Sequence, residues 1–246
     1  MIISNNNRYI FVHIMKAAGT SVTDALSKRL DWRDLALGGT ELGEQIHHFY
    51  NAHWGVGKHS MAREIKALVG DEVWEDYYTF SFVRHPFPRA VSLYKYIQRF
   101  AEQERVPWWK SALRAAAGRK KRFRRNRWLN DLPEAKAYFE TSSFSTFIRR
   151  AHEVGALGMK PQVDWVTDEE GNDMLDFVGK VENLEADFER IVQSVGLEGV
   201  QLSRANKSTY QKPWYEYFAD ETDFQFLSEV FSEDFVHFGY DASRRR

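Results

Sequence analysis

The sequence predicts an α/β fold in three layers, in which helices cover a central, mostly parallel sheet. Apolar runs rich in β-branched and aromatic residues occur at residues 9–14, 78–83 and 175–181, as in strands that are buried on both faces. Helical signals follow each run, and this repeated order favours parallel strands joined by helical crossovers. No internal repeat and no long linker rich in Gly, Ser or Pro interrupts the alternation.

The length and composition predict a single packed domain over residues 1–246. The chain is 43% hydrophobic and 28% charged, as soluble globular proteins are. No apolar stretch approaches the roughly 18 to 20 residues that span a bilayer, and the first residues lack the features of a signal peptide, so we expect a cytoplasmic protein. The absence of cysteine excludes thiol nucleophiles, disulfides and cysteine-ligated zinc.

The first half of the chain predicts two strand–loop–helix units. A helix starts near Thr20, after the first strand, and the amphipathic residues 60–68 form a helix that Gly70 ends. After the second strand, the segment RHPFPR at residues 84–89 is expected to be a turn, with a helix over residues 90–99.

The middle of the chain predicts an inserted helical and basic subregion at about residues 105–155. Ser143 is expected to cap a helix over residues 144–153. The net charge of the chain is −1, yet residues 100–150 hold thirteen Lys or Arg against five Asp or Glu. The centre of this charge, GRKKRFRRNRW at residues 118–128, is either a solvated loop or a binding surface for a polyanion.

The α/β order then resumes with the third strand. Asn183 is expected to cap the helix that follows it, and Gly196 is expected to end that helix. Residues 220–238 predict one or two helices packed back on the sheet.

A loop suited to anions follows the first strand. There, a loop that leads into a helix exposes unpaired backbone N–H groups and the positive end of the helix dipole. A lysine after an apolar strand either reaches solvent or meets an anion, because burying it without a partner is costly. In this segment small residues let the backbone approach a ligand and hydroxyls add donors. The residues concerned are Lys16, Ala17, Ala18, Gly19, Thr20 and Ser21.

The loop has two other interpretations. In the simpler one, it is a short turn with Thr20 as an ordinary N-cap. A P-loop for nucleoside triphosphates is disfavoured, because its lysine follows the last glycine of GxxxxGK[ST], whereas Lys16 precedes Gly19.

A second phosphate contact is predicted after the second strand. Arg84 ends that strand, and Ser92 lies eight residues later in the predicted helix. The planar guanidinium and a helical hydroxyl could bind one phosphate. Alternatively, Arg84 pairs with a carboxylate and Ser92 has no special role.

Taken together, residues 15–21 (MKAAGTS) and 80–94 (FSFVRHPFPRAVSLY) resemble the sulfotransferases that use 3′-phosphoadenosine 5′-phosphosulfate (PAPS), in particular the carbohydrate type called sulfotransferase family 2. The resemblance covers most of the chain except the basic middle, and it extends through residues 59–80, 179–191, 206–208 and 233–240. The chain departs from the family at Met15, Ala17 and His85, where proline, threonine, and Asp or Asn are common.

The resemblance implies a P-loop-like sulfotransferase fold and in-line transfer of the sulfuryl group from PAPS to a hydroxyl of a carbohydrate or glycan-bearing acceptor, which leaves the bisphosphate PAP. It implies that residues 16–21 bind the 5′-phosphosulfate and that Arg84 and Ser92 bind the 3′-phosphate. Lys16 is suited to the charge that develops on the leaving oxygen. We expect no metal requirement, because the sequence offers no obvious metal cluster.

The acceptor hydroxyl needs a base, and histidine has a suitable pKa near neutrality. His59, in GKHS before the second strand, stands where the resembling family carries its acceptor-activating histidine. The reserve candidates are His53, His47, His48 and Glu44. The histidines expected to be bystanders include His13, His85 and His237.

Two other functions are weighed against the enzyme. The chain could bind PAPS or PAP without turnover. Nucleic-acid binding would rest on residues 118–128 and is disfavoured; the same run could instead contact an acidic polysaccharide acceptor. Weaker hypotheses place Lys207 and Ser208 over the nucleotide, and Lys160 and Gln162 in the acceptor cleft.

Overall fold

The computed structural model describes residues 1–104, 132–202 and 212–243, with only the backbone described at 102–104. The chain divides into two compact units. The sheet unit comprises Met1–Pro86, Pro161–Thr209 and Phe231–Arg244, and the helical unit comprises Phe87–Lys160, Tyr210–Val230 and Arg245–Arg246. The single domain over residues 1–246 stays a prediction.

The sheet unit contains a five-stranded sheet in the order β3-β1-β2-β4-β5. The strands are β1 (Ile2–Ser4), β2 (Tyr9–Val12), β3 (Leu35–Ala36), β4 (Tyr78–Val83) and β5 (Phe177–Lys180). β2, β4 and β5 pair in parallel, whereas β1 pairs antiparallel with both β2 and β3. The sheet is therefore mixed, and the prediction of a mostly parallel sheet is not confirmed. A four-residue hairpin at 5–8, in which Arg8 has φ 51°, reverses the chain between β1 and β2.

The predicted strands form, with shorter ends in two cases. β4 has the predicted bounds, whereas β2 stops at Val12 and β5 spans only Phe177–Lys180. All four residues of β2 are buried, so both faces of the sheet are covered there. On one face, Phe11, Phe80 and Phe82 pack against two helices, α1 (Gly19–Leu26) and α9 (Leu184–Ser194).

The other helices of the described chain have the following bounds: α2 (Glu41–Trp54), α3 (Ala62–Val69), α4 (Asp71–Asp76), α5 (Pro86–Glu104), α6 (Pro133–Phe139), α7 (Phe144–Glu153), α8 (Val163–Val166), α10 (Glu221–Val230) and α11 (Ser232–His237). The predicted helices at 60–68, 144–153 and 220–238 correspond to α3, α7, and α10 with α11. Ser143 caps α7 through a capping box with Thr146, as predicted.

Two local predictions are wrong. RHPFPR is not a turn, because α5 already begins at Pro86; a proline fits the first position of a helix, where its fixed φ suits and its missing N–H costs nothing. Asn183 occupies the N-cap position of α9, but its side chain does not cap that helix. Its Nδ2 instead donates to Asp187 Oδ1 at 2.9 Å.

Aromatic contacts and the buried carboxylate of Asp223 stabilise the helical unit. The rings of Phe218 and Phe224 stack with centroids 4.0 Å apart, and Phe87 packs against both. The fully buried Asp223 accepts a hydrogen bond from Ser145 Oγ at 2.6 Å and pairs with Arg149. The basic centre at 118–128 lies outside the described residues. Among the described helices, none is long and apolar enough to cross a membrane.

Candidate functional site

The two predicted phosphate loops leave the same edge of the sheet. β2 and β4 are parallel neighbours, with Val12 opposite Ser81, so their carboxyl ends lie side by side. The buried hydroxyl of Ser81 donates to the Val12 carbonyl at 2.7 Å and links the two strand ends. The chain then continues into residues 13–18 on one side and into Arg84 on the other. This is the edge at which α/β sheets bind ligands.

The segment 15–18, here called the anion loop, has an unusual backbone. Lys16 has φ 67° and Ala18 has φ 60°, whereas the φ of Ala17 between them is not positive. Alternation of left-handed and ordinary residues turns successive N–H groups toward one concavity, which is a nest for anions. Ala18 is also the N-cap residue of α1, and its methyl group cannot accept a hydrogen bond from the first turn. The Ala17 N–H donates to the Ile14 carbonyl at 3.4 Å, so the N–H groups of the first turn of α1 are the ones that could meet an anion.

Gly19 lets the anion loop pack directly on His13. A Cβ built at Gly19 would lie 1.9 Å from His13 Nε2 and 2.0 Å from His13 Cδ2. No side chain fits in that space without displacing the ring. His13 is 3% exposed, so the ring is enclosed below the start of α1. The histidine expected to be a bystander therefore supports the loop.

His59 lies against the same histidine. The rings of His13 and His59 are 4.7 Å apart at 73°, and His59 Nδ1 lies 2.9 Å from the His13 carbonyl oxygen. Because a carbonyl can only accept, Nδ1 must carry the proton, and Nε2 keeps its lone pair. Among the described residues none forms a hydrogen bond to Nε2, and the side chain of His59 is half-buried. Trp165 Nε1 donates to the His59 carbonyl at 2.9 Å and fixes the backbone.

The environment keeps both imidazoles neutral. Loss of hydration lowers the pKa of His59 to about 3; the bond to the His13 carbonyl opposes this shift, and the charges of Lys58 and Lys16 add to it. Burial also holds the pKa of His13 well below its usual range, again with contributions from His59 and both lysines. His59 is therefore a hydrogen-bond acceptor at Nε2 at neutral pH.

The side-chain amide of Gln162 bonds to both peptide groups of Arg84 at the end of β4, as the backbone of a neighbouring strand would. Gln162 Oε1 accepts from the Arg84 N–H at 2.9 Å, and Gln162 Nε2 donates to the Arg84 carbonyl at 2.8 Å. Gln162 is in turn bound by Asp234, whose Oδ2 accepts from Nε2 at 3.0 Å. Gln162 and Asp234 are both fully buried. We name this arrangement the Gln162 clamp.

The structure bears on two of the four residues in the weaker hypotheses, Gln162 and Lys160. Gln162 is not available to an acceptor, because its amide is used by Arg84 and Asp234. No local sequence pattern indicates the contact with Arg84, which joins residues 78 positions apart. Lys160 is exposed and belongs to the helical unit. Lys207 and Ser208 lie outside the described residues.

Ser92 lies on α5, three residues after Arg89, and its side chain is buried. It belongs to the helical unit. Its shared contact with Arg84 on one phosphate therefore stays a prediction. Thr20 is exposed and Ser21 half-buried in the first turn of α1, and the structure shows no hydrogen bond from either hydroxyl to a described residue. The simple N-cap role for Thr20 is wrong, because Ala18 is the N-cap.

The reserve bases all lie on α2, and two have other partners. His53 Nδ1 lies 2.9 Å from the Phe49 carbonyl, and Glu44 Oε1 accepts from the Gly39 N–H at 3.0 Å. His47 packs on Gly57, where an added Cβ would be 2.7 Å from its Nε2, and His48 is exposed beside it. In the described part of the chain, no group of three His, Asp or Glu could hold a metal ion.

The bystander assignment fits two other histidines. His85 is 5% exposed. Its backbone N–H donates to Glu182 Oε1 at 2.8 Å, and its ring packs on Phe235. His237 Nε2 lies 2.8 Å from Asp173 Oδ1. Both histidines thus have structural partners.

Gly19→Ala should destabilise the protein by about 1–3 kcal/mol, because the new methyl group overlaps the His13 ring. The free energy of unfolding in urea measures the effect. In the double variant His13→Ala/Gly19→Ala, the alanine at 19 should cost less than in the wild-type background. An unchanged stability of Gly19→Ala would contradict the packing described above.

Stability should fall as the pH drops below the unfolded-state pKa of histidine, near 6.5. Between about pH 6.5 and 3 the unfolded chain binds a proton at residue 59 that the folded chain excludes, so folding stability rises with pH over this window. The loss from pH 7.5 to 5 should be smaller in His59→Asn by about 2 kcal/mol, measured by urea unfolding. His53→Asn is the control, and an identical pH dependence in both variants would contradict a His59 that stays neutral in the folded chain.

A comparison with known protein families finds a match over nearly the whole chain. Residues 1–241 match the family described as "Sulfotransferase family", whereas no curated protein and no solved structure matches the chain. The match includes the anion loop, His59, Arg84 and the Gln162 clamp. Because it spans nearly the whole sequence, the chain belongs to the sulfotransferase family and is a transferase of sulfuryl groups.

Proposed function

We propose that the chain transfers the sulfuryl group of PAPS to a hydroxyl of a carbohydrate or glycan-bearing acceptor. The observation that carries this proposal is the continuous packing from Gly19 through His13 to His59, which joins an anion loop to a histidine with a free lone pair. A donor anion on the loop and a proton acceptor nearby are what the transfer requires.

The anion loop supplies binding and charge stabilisation. Its backbone already has the alternating conformation of a nest, so the N–H donors at the start of α1 would stabilise negative charge without reorganising. Lys16, half-buried in the loop, adds a mobile positive charge for the 5′-phosphosulfate and for the oxygen that becomes the leaving phosphate. Thr20 and Ser21 offer hydroxyl donors at the start of α1.

His59 supplies the base. Its Nδ1–H is held by the His13 carbonyl, so Nε2 is the atom that accepts the acceptor's proton. The in-line displacement itself breaks the bond between sulfur and the bridging phosphate oxygen as the acceptor oxygen bonds to sulfur. The low pKa of His59 keeps the imidazole from being protonated before the acceptor binds.

Arg84 supplies recognition of the 3′-phosphate, with Ser92 as a second donor. The Gln162 clamp fixes the backbone of Arg84 on both sides, which limits where its guanidinium can reach. A fixed arginine next to the anion loop would distinguish PAPS from nucleotides that lack the 3′-phosphate.

The first test measures transfer of labelled sulfate from PAPS to a panel of cell-extract glycans and small alcohols, with mass spectrometry of the products. We expect labelled carbohydrate and release of PAP. In His59→Asn the kcat should fall by about 10²–10⁴, while the Kd for PAP stays within about threefold, because the asparagine amide can still donate to the His13 carbonyl.

The control variants are Glu44→Gln and His53→Asn, which should keep kcat within a few-fold. Binding of PAP without turnover on any acceptor would favour the alternative of a nucleotide-binding protein. Retention of turnover by His59→Asn, with PAP binding intact, would remove His59 from the mechanism.

The second test separates Arg84 positioning from general stability. Gln162→Met keeps the side-chain volume but loses both bonds to Arg84. The Kd for PAP should rise about tenfold or more, which corresponds to ~1.4 kcal/mol. The Kd for adenosine 5′-phosphosulfate, which lacks the 3′-phosphate, should change less than about twofold. Titration calorimetry measures both.

The exposed Gln193→Met, on α9 of the same unit, is the matched control and should bind both nucleotides like the wild type. Equal losses of affinity for the two nucleotides in Gln162→Met would show that the clamp has no specific effect on the 3′-phosphate contact.

A further inference from the structure

The ring of His13 lies at the start of α1, where the helix offers N–H groups to an anion. A Cβ built at Gly19 would lie 1.9 Å from His13 Nε2, so this nitrogen occupies the space of a side chain at the first helical position. Because the Cα–Cβ bonds of a helix tilt toward its N-terminus, that space lies on the N-terminal side of the first turn. Nε2 is therefore placed beside the unpaired N–H groups of α1.

The His13 ring is buried without a hydrogen-bond partner. The residue is 3% exposed, and among the described residues none forms a hydrogen bond with the enclosed Nδ1. The described part of the chain supplies no hydrogen bond to Nε2 either. Buried polar side chains without a partner are rare, so a ring of this kind at an anion loop indicates a partner that the protein itself does not supply.

The surroundings determine which ring nitrogen of His13 carries the proton. Burial holds the pKa of His13 well below its usual range, so the imidazole is neutral and has a single N–H. Orphaned N–H groups are rarer in protein interiors than orphaned acceptors, so the enclosed Nδ1 is the nitrogen that keeps a lone pair. The proton then lies on Nε2, next to Gly19 and to the positive end of the α1 dipole.

We propose that His13 Nε2–H donates a hydrogen bond to the anion that binds at the start of α1, so that His13 is a donor-binding residue of the site. The inference rests on the proposed function, under which this anion is the 5′-phosphosulfate of PAPS. Lys16 supplies the mobile charge, and His13 adds a fixed, neutral donor. Because the centroids of the His13 and His59 rings are 4.7 Å apart, the same contact holds the donor group close to the proposed base.

One test is nitrogen NMR of the full chain with isotope-labelled histidine, before and after the addition of PAP. Long-range proton–nitrogen correlations identify the tautomer of each ring, and through-bond correlations to the backbone assign the His13 signals. We expect His13 to carry its proton on Nε2, and PAP should shift that proton downfield and slow its exchange with water. A proton on Nδ1, or an Nε2–H signal that saturating PAP leaves unchanged, would overturn the inference.

A second test compares two substitutions by titration calorimetry. His13→Gln keeps an N–H donor near the position of Nε2, whereas His13→Met has a similar length and no donor. The Kd for PAP should rise about tenfold or more in His13→Met and stay within about threefold in His13→Gln. Adenosine 3′-monophosphate, which lacks the 5′-phosphate, should bind to both variants with a Kd within about twofold of the wild type. His152→Met, at an exposed histidine on α7, is the matched control and should bind both nucleotides like the wild type.

Equal losses in His13→Gln and His13→Met, or equal losses for the two nucleotides, would leave His13 a packing role alone and overturn the inference. The NMR test uses the wild-type chain, so it remains decisive if a variant fails to fold. The inference and the proposed function can fail separately. PAP that binds without changing the His13 signals counts against the inference alone, whereas PAP that changes them in a chain without sulfuryl transfer counts against the proposed function alone.

Discussion

The site depends on the left-handed backbone of Lys16 and Ala18. For residues with a Cβ this conformation costs roughly 1–2 kcal/mol each, and glycine would adopt it freely. The surrounding structure must therefore enforce it. β2 is fully buried before the loop, Ala17 is 1% exposed, and Gly19 is seated on the His13 ring. Packing on both sides thus holds the loop in a strained conformation, and such strain is concentrated at functional sites.

The chemically important side chains are oriented through the backbone. His59 is fixed by one bond from its Nδ1 to the His13 carbonyl and by one bond from Trp165 to its own carbonyl. Arg84 is fixed by two bonds between its peptide groups and Gln162. These contacts use the Nδ1 atom and the carbonyl of His59, and only the peptide groups of Arg84. Residues that orient the site residues in this way, here Trp165 and Gln162, determine how well a site is organised before the ligand binds.

The sequence predicted those parts of the fold that local patterns determine. β4 was predicted to its exact bounds because six consecutive apolar or β-forming residues are bordered by clear signals. β1 and β3, with three and two residues, are too short to show periodicity, and they make the sheet mixed. The residue types of the anion loop predicted that it binds an anion. They did not predict the left-handed conformation of Lys16 and Ala18, since neither Lys nor Ala favours it.

Local sequence patterns do not identify the proposed base or the residues that hold it. His59 was selected among eight histidines by resemblance, and only the tertiary contact with His13 defines its tautomer. The sequence placed Gln162 in the acceptor cleft and did not single out Asp234, because the contacts that define their roles join residues 78 and 72 positions apart and involve no charge pattern. The strength of the base also depends on its ligand. Loss of hydration is the main cause of the low pKa of His59, and the charges of Lys58 and Lys16 lower it further. Under the proposed function, a donor anion bound beside Lys16 would oppose these charges and would make His59 a stronger base than it is in the protein alone.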